Sequence, residues 1–475
     1  MLRASAVVEA AGRASSTLVC EGFLSAAAST SIGLGMPNLP VAGVPGHPGV
    51  QNDAQLRENI LGTTLDQVID NLLRAPAEVQ AEDEPGARDI VFSGSFDAVN
   101  RAFVARGWSD GLPVVPPTRA RIDAFLRCCD RDADEVLGVL LPDSRAATVW
   151  SVAVNGVMAG CRPQYMPLLL ALVEAMADPY YGVEHSGNTP GGETLIMLNG
   201  PIARQLGFNC EQGVMRDGIQ PNTSVGRFWR LYLRNVAGFL PGGNDKATFG
   251  NTWRVVVPEN EAFVERIGWQ PMSVDMGFRA GEDTVTIARY TGGNHISSVS
   301  GSTPEELMPY VADAVVKQHS WQLMFSVGQG KGTLRPLILL GPIIAETLAA
   351  GGWSKADVRQ YLYDHARVTA GEFERILRDW TNKPVWSLAE EARLRRIPQL
   401  YHESDDPQRL VPLVWDPDDF MLLVTGDPAR NSVYVFAHNG VLGYPTTKPV
   451  RLPPGWTGLL DEMKREDEDA GQAQA

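Results

Sequence analysis

The stretch "ETLIMLNGPIARQLG" (193–207) decides the reading of the fold. Its first part is a short apolar run bounded by glycines, the pattern of a strand covered on both faces. Gly200-Pro201 then turns the chain into a helix, where proline is tolerated because an amide in the first turn has no acceptor. Upstream, "QYMPLLLALVEAMAD" (164–178) supplies a helix opened by Met166-Pro167. The same succession recurs in "ELMPYVADAVVKQ" (306–318) and "RPLILLGPIIAETLAAGG" (335–352), and Met166 and Met308 are spaced nearly as Gly200 and Gly341 are. The pattern predicts an α/β protein with two similar α/β units over roughly 145–290 and 300–450. Internal duplication and chance likeness of buried strand-turn-helix units explain the echo equally well. A duplication places the ligand site in the cleft between the units, where pockets are favoured.

Outward from these units, residues 1–50 read as a partial α/β segment. It runs helix, strand ("SSTLVCEGF", 15–23), helix, and then a Pro/Gly-rich exit, "LGMPNLPVAGVPGHPGV" (34–50). Residues 51–90 hold a helix with Leu56, Ile60, Leu65, Val68, Ile69, Leu72 and Leu73 at helical spacing, followed by the acidic linker "PAEVQAEDEPGARD" (76–89). The first α/β unit with the candidate site spans 91–295 and the second 296–455. Residues 456–475 read as an acidic, solvated tail.

Composition narrows the function. A net charge of −15 and no basic tract argue against nucleic-acid binding. The apolar runs are too short or too interrupted to span a bilayer. Five scattered cysteines make no disulfide framework and suit a reducing, cytoplasmic location. The spacing shows no metal motif, no P-loop and no dinucleotide fingerprint, so no cofactor is evident. A homo-oligomer is left open.

Four constellations could carry chemistry. In "GWSDGLPVVPPT" (107–118), Trp108 and Asp110 could line a pocket with Asp110 as acid or base, although an Asp in such a turn more often caps its own backbone. In "PNTSVGRFWRLYLRNVAGFLPGGNDKATFGN" (221–251), Asn222, Thr223 and Ser224 are fit to cap a helix. Arg227, Arg230 and Arg234 then share a face, and Asp245 and Lys246 could extend the site. Such a guanidinium stripe needs acidic partners or an anionic ligand, and structural pairing is the commoner outcome. In "YGVEHSGNTPGGETLIMLNGP" (181–201), His185 is the histidine best placed to move a proton. In "MAGCRPQYMP" (158–167), Cys161 precedes a helix and has Arg162 beside it, a route to a lowered pKa, whereas cysteines in Ala/Gly-rich runs are more often inert packing.

The blocks "RGWSDGLPVVPPTRARIDAFL", "ATVWSVAVNGVMAGCRPQYMPLLLALVEAM", "LIMLNGPIARQLG", "NTSVGRFWRLYLRNVAGFLPG", "DKATFGN" and "GGWSKADVRQYLYDHAR" together resemble the UGSC-type (seleno)protein family, from about residue 1 to residue 453. The resemblance implies a redox role through a U/C-G-S-C motif, which this sequence lacks. It also implies that the motif precedes a segment like residues 1–41, so the expectation is either a variant without the redox centre or, as favoured, a start displaced past an in-frame UGA. The resemblance supports Cys161 as a functional thiol and Asp110, Asn222, Arg227, Arg230, Asp245 and Lys246 as pocket residues. Relatives carry a histidine at the start of the helix after "LILLGP" that is missing here.

The expected function is a thiol-dependent enzyme, an oxidoreductase, acting on a small polar or anionic substrate. Cys161 would be the thiolate, Arg227 and Arg230 the anion clamp, and His185 or Asp110 the proton carrier. The alternatives are a cofactor-independent lyase or hydrolase working through Asp110 and His185, and a non-catalytic ligand-binding partner.

Overall fold

The computed structural model describes residues 2–47, 50–78, 85–319, 330–381 and 387–472. The strands in chain order are β1 (Thr17–Cys20), β2 (Val41–Val44), β3 (Val136–Leu140), β4 (Arg145–Thr148), β5 (Glu193–Asn199), β6 (Val256–Pro258), β7 (Thr284–Ile296), β8 (Leu337–Leu340), β9 (Arg367–Thr369), β10 (Leu410–Pro412), β11 (Met421–Val424), β12 (Val433–His438) and β13 (Thr446–Pro449). Seven of them form one mixed sheet, in the order β11-β8-β12-β7-β5-β6 with β13 added on β7. Helices cover it, and the α/β class stands.

The sheet order repeats from its edges inward. In one half the Met166–Ala177 helix leads to β5, which pairs parallel with β6 and antiparallel with β7. In the other the Pro304–His319 helix leads to β8, which pairs parallel with β11 and antiparallel with β12. At the centre β7 and β12 pair antiparallel, from Ile296 opposite Val433 to Gly293 opposite Phe436. The two predicted units are therefore halves of a single sheet. β13 returns to the first half, where Thr446 lies opposite Ile287.

Alternation sorts the side chains into three cores, because successive strand residues face opposite ways. Leu195, Met197, Val257, Ala288, Leu339 and Phe436 point inward to one another. Ile196, Leu198, Ile287 and their neighbours meet the helices of the first half, and Ile338, Leu340, Leu422 and Val435 meet those of the second. The sheet curls until its outer strands touch at their ends. There the Asn260 amide donates to the Val424 carbonyl at 2.8 Å, and the Thr425 hydroxyl to that of Pro258 at 2.9 Å.

Several local expectations change. Met308-Pro309 does not open its helix; Pro304 does, and Pro309 lies inside it. The Gln220–Tyr232 helix begins before Asn222, Thr223 and Ser224, so none of them is the N-cap. The acidic end is largely a helix, Trp456–Gln472, whose Trp456, Leu460 and Met463 are buried against the first core. Their spacing of about one turn makes an apolar stripe inside a charged sequence. The N-terminal segment has the predicted helix Leu2–Ala10, β1 and helix Leu24–Gly33, but the Pro/Gly-rich exit after them holds a second strand, β2, paired parallel with β1. β1 is not buried along its length, since Leu18 remains 46% exposed. The helix predicted after residue 51 runs from Asp53 to Leu73 through a π-turn at Ile60–Thr64, and much of its apolar stripe is exposed. Residues 79–84 of the predicted linker lie outside the described residues. No helix among the described residues is long and apolar enough to cross a membrane.

Candidate functional site

The Gln220–Tyr232 helix separates the predicted site residues into two clusters. The first surrounds Asp110. Arg227 clamps it with two bonds, Nε to Oδ2 at 3.0 Å and Nη2 to Oδ1 at 2.8 Å, while Arg254 approaches Oδ2 at 3.4 Å. Arg227 also donates to the Pro113 carbonyl at 2.9 Å. Burial pushes the Asp110 carboxyl up, but the bonds and charge of Arg227, with Arg254, outweigh that and hold it below its ordinary value. Asp110 is thus an ionised tether for the 109–113 turn, and Arg227 is committed to it. Arg234 is used similarly, donating to the Gly107 carbonyl at 2.5 Å. Trp108 packs edge-on to Phe103 at 5.4 Å with Arg106 over its ring. Asn222 is buried and ties Asn209 to the Val256 carbonyl.

Cys161 lies next to this cluster, after the Val149–Ala159 helix ends in Gly160 at φ 81°. It is only 8% exposed. Burial pushes its thiol up to about 12, against weaker pulls from the Ser224 hydroxyl and the Arg227 charge. A thiol there stays protonated at neutral pH, and the Arg162 charge does not reverse that. Iodoacetamide at about pH 7.5 is expected to alkylate Cys161 in the native chain about a thousandfold more slowly than a free cysteine. Peptide mapping by mass spectrometry measures this, and rapid labelling would show an activated thiolate.

The second cluster surrounds Glu193, the first residue of β5. Arg230 reaches Glu193 with Nη1 at 3.3 Å and Asp245 with Nη2 at 3.3 Å. Burial pushes the Glu193 carboxyl up while Arg230 pulls it down, and Arg230 is held cationic by both acids. Behind it Arg289 of β7 is fully buried. Its guanidinium donates to the Ser186 hydroxyl at 2.9 Å and to the carbonyls of Gly182 and Leu442, and it covers the Tyr181 ring at 4.6 Å. These bonds lash the 182–189 loop onto the sheet end.

Against that loop is an open cavity of about 360 Å³, walled on one side by the N-terminal segment. Arg3, Phe23 and Thr30 line it from that segment, and Glu184, Asn188 and Lys246 from the first half. Lys246 Nζ donates to the Ser25 hydroxyl at 2.7 Å, and Thr30 to Asn244 Oδ1 at 3.2 Å. Among the described residues, no carboxylate comes within ion-pairing distance of Arg3. His185 is next to Glu184 and half-buried. Burial lowers its pKa below the ordinary 6.5; Glu184 opposes this, while Arg289 and Arg3 reinforce it. The imidazole is therefore neutral at pH 7 and able to accept a proton.

The structure thus brings Arg230 and Asp245 together and sets Lys246 and His185 near them, but gathers Asp110 and Arg227 into a separate cluster, with Cys161 next to it. Sequence reasoning did not single out Glu193, Arg289 or Arg3. The signal for the first two was a lone charge in an otherwise apolar strand, as in "TVTIARY" (284–290). Arg3 carried no such signal. Among the described residues, no group of His, Cys, Asp and Glu side chains is arranged to hold a metal ion. Comparison with protein-family models and with curated proteins found no match.

Proposed function

We propose that the chain is an enzyme that binds a small anionic substrate between the N-terminal segment and the 182–189 loop and works on it by acid–base chemistry. This keeps the acid–base idea of the lyase or hydrolase alternative, with His185 but without Asp110. One observation carries it: Arg3 and Lys246, far apart in sequence, converge on one cavity whose only acidic lining residue among those described is Glu184. The neutral imidazole of His185 follows Glu184 in the lining loop, within electrostatic reach of Arg3 though not itself a lining residue. Lys246 and Arg3 hold the anion, and His185 accepts the proton. Cys161, protonated and buried, serves packing, which is why acid–base chemistry replaces the thiol mechanism favoured by the sequence. The UGSC-type resemblance adds no residue to this site beyond Lys246.

The test is a panel of small hydroxy- and keto-carboxylates in D2O, with thermal unfolding reporting binding and mass spectrometry reporting deuterium uptake. Lys246→Met is expected to weaken binding by about tenfold or more, the loss of one charge-assisted contact. His185→Asn is expected to lower deuterium uptake about 100-fold, the usual worth of a positioned base, with binding little changed. Uptake in the wild type should fall as pH drops through the depressed pKa of His185, because protonation removes the base. Stabilisation without uptake would favour the non-catalytic binding reading, and no binding by any carboxylate would remove the site.

A further inference from the structure

The curled sheet leaves a second cavity, of about 410 Å³, at the seam between its halves. Met272, Asp275 and Met276 line it from the first half, and Lys331, Arg335, Arg359, Phe420 and Met421 from the second, with the acids Asp418 and Asp419 beside them. It lies where the chain enters β8 and β11, and it shares no lining residue with the site proposed above.

Its charges are unequally satisfied. Asp275 Oδ2 takes Lys355 at 2.8 Å and Arg359 at 2.5 Å, and Lys331 pairs with Asp416 at 2.9 Å. Arg335 differs. Its Nε donates to the Asp419 carbonyl oxygen at 3.1 Å, and among the described residues no carboxylate pairs with its guanidinium. The Asp419 side chain feels the charge of Arg335 but makes no ion pair with it, and its two oxygens accept the amides of Gly332 at 2.8 Å and Asp416 at 3.2 Å. Burial also pushes that carboxyl up to about 6, which thins its charge near neutrality. Against this lone guanidinium stands an apolar wall. Met272, Phe420 and Met421 are almost fully buried, and the Tyr290 hydroxyl behind them is spent on the Met421 sulfur at 3.9 Å. Thioethers are polarisable and adapt to a guest. A planar guanidinium prefers a carboxylate, which it can grip with two bonds.

We propose that the seam cavity binds an organic carboxylate with an apolar stem, the carboxylate on Arg335 and the stem against Met272, Met276, Phe420 and Met421. Because the lining comes from both halves, the ligand bridges them. Occupancy then stabilises the closed sheet, since a ligand that binds only the folded form raises its stability by mass action.

The probe is hexanoate, titrated calorimetrically into the full chain, with inorganic phosphate and hexan-1-ol as controls. Saturable hexanoate binding with a Kd of about 1 mM or tighter is expected, together with a rise in Tm. Neither control should match it. Arg335→Gln should weaken hexanoate at least about tenfold by removing the charged bonds. Met276→Trp, at a half-buried wall position, should block the stem whether or not Arg335→Gln folds. Lys246→Met should leave this binding unchanged, which separates the seam from the site proposed above. Absence of saturable hexanoate binding overturns the inference. So does equal binding of phosphate, or unaltered affinity in a folded Met276→Trp chain.

Discussion

Arg230→Met is expected to lower the unfolding free energy by about 3–5 kcal/mol, the usual consequence of stripping one partner from a buried ion pair. Arg230 stands between Glu193, with a side chain 5% exposed, and Asp245, with one 10% exposed. Methionine keeps the stem but leaves two nearby carboxylates without a cation between them. Glu193, already pushed up by burial, loses the pull of Arg230 and prefers to be neutral in the fold, so its folded pKa rises further above the unfolded value. An acid shifted upward contributes stability below its unfolded pKa and loses it as pH rises through the folded one. The deficit should therefore be largest at pH 7 and shrink towards pH 5. Urea unfolding at both pH values measures it. Adding Glu193→Gln to Arg230→Met should recover part of the loss, and a double-mutant cycle gives the coupling. A deficit independent of pH would show that Arg230 acts by packing alone.

Gly226→Ala is expected to destabilise by about 3 kcal/mol, at the upper end of what overpacking does. Helix propensity alone argues the opposite, favouring alanine over glycine by about 1 kcal/mol. The contact decides the sign. Gly226 lies directly against the Arg254–Val255 backbone that enters β6, and a methyl would fall on the Arg254 carbonyl and the Val255 amide. Side chains can swing aside; a strand backbone does so only by moving the strand. The Gln220–Tyr232 helix would have to retreat, disturbing the buried Phe228, Trp229 and Leu231 as well as the grip of Arg227 on Asp110. Thermal unfolding gives the answer, and a raised Tm would show that the helix has room to move.

The two strand-Gly-Pro segments were legible because their information is local. An apolar run bounded by Gly-Pro has few alternatives, and both β5 and β8 lie where it put them. The second helix was misplaced because Thr303-Pro304 competes with Met308-Pro309 as a start, and local chemistry does not rank them. The arginine spacing likewise announced a shared face on the 220–232 helix, yet not that Asp110 and the Gly107 carbonyl would occupy Arg227 and Arg234. Those partners lie over a hundred residues away in the chain. The terminal helix was hidden by its acidic composition, which masked Trp456, Leu460 and Met463.

What this sequence determined by itself is what a few neighbouring residues can enforce: most helix, strand and turn identities, the α/β class, and the helix face shared by Arg227, Arg230 and Arg234. The tertiary structure alone decided that the two halves share one curled sheet, because strand pairing depends on which distant edges remain open. It decided too that burial pushes the Cys161 thiol up, since its pKa is set by what excludes water from it, not by Gly160 and Arg162 beside it. Arg3 and Lys246 share a cavity for the same reason: chain folding sets the distance between charges, whatever their separation in sequence.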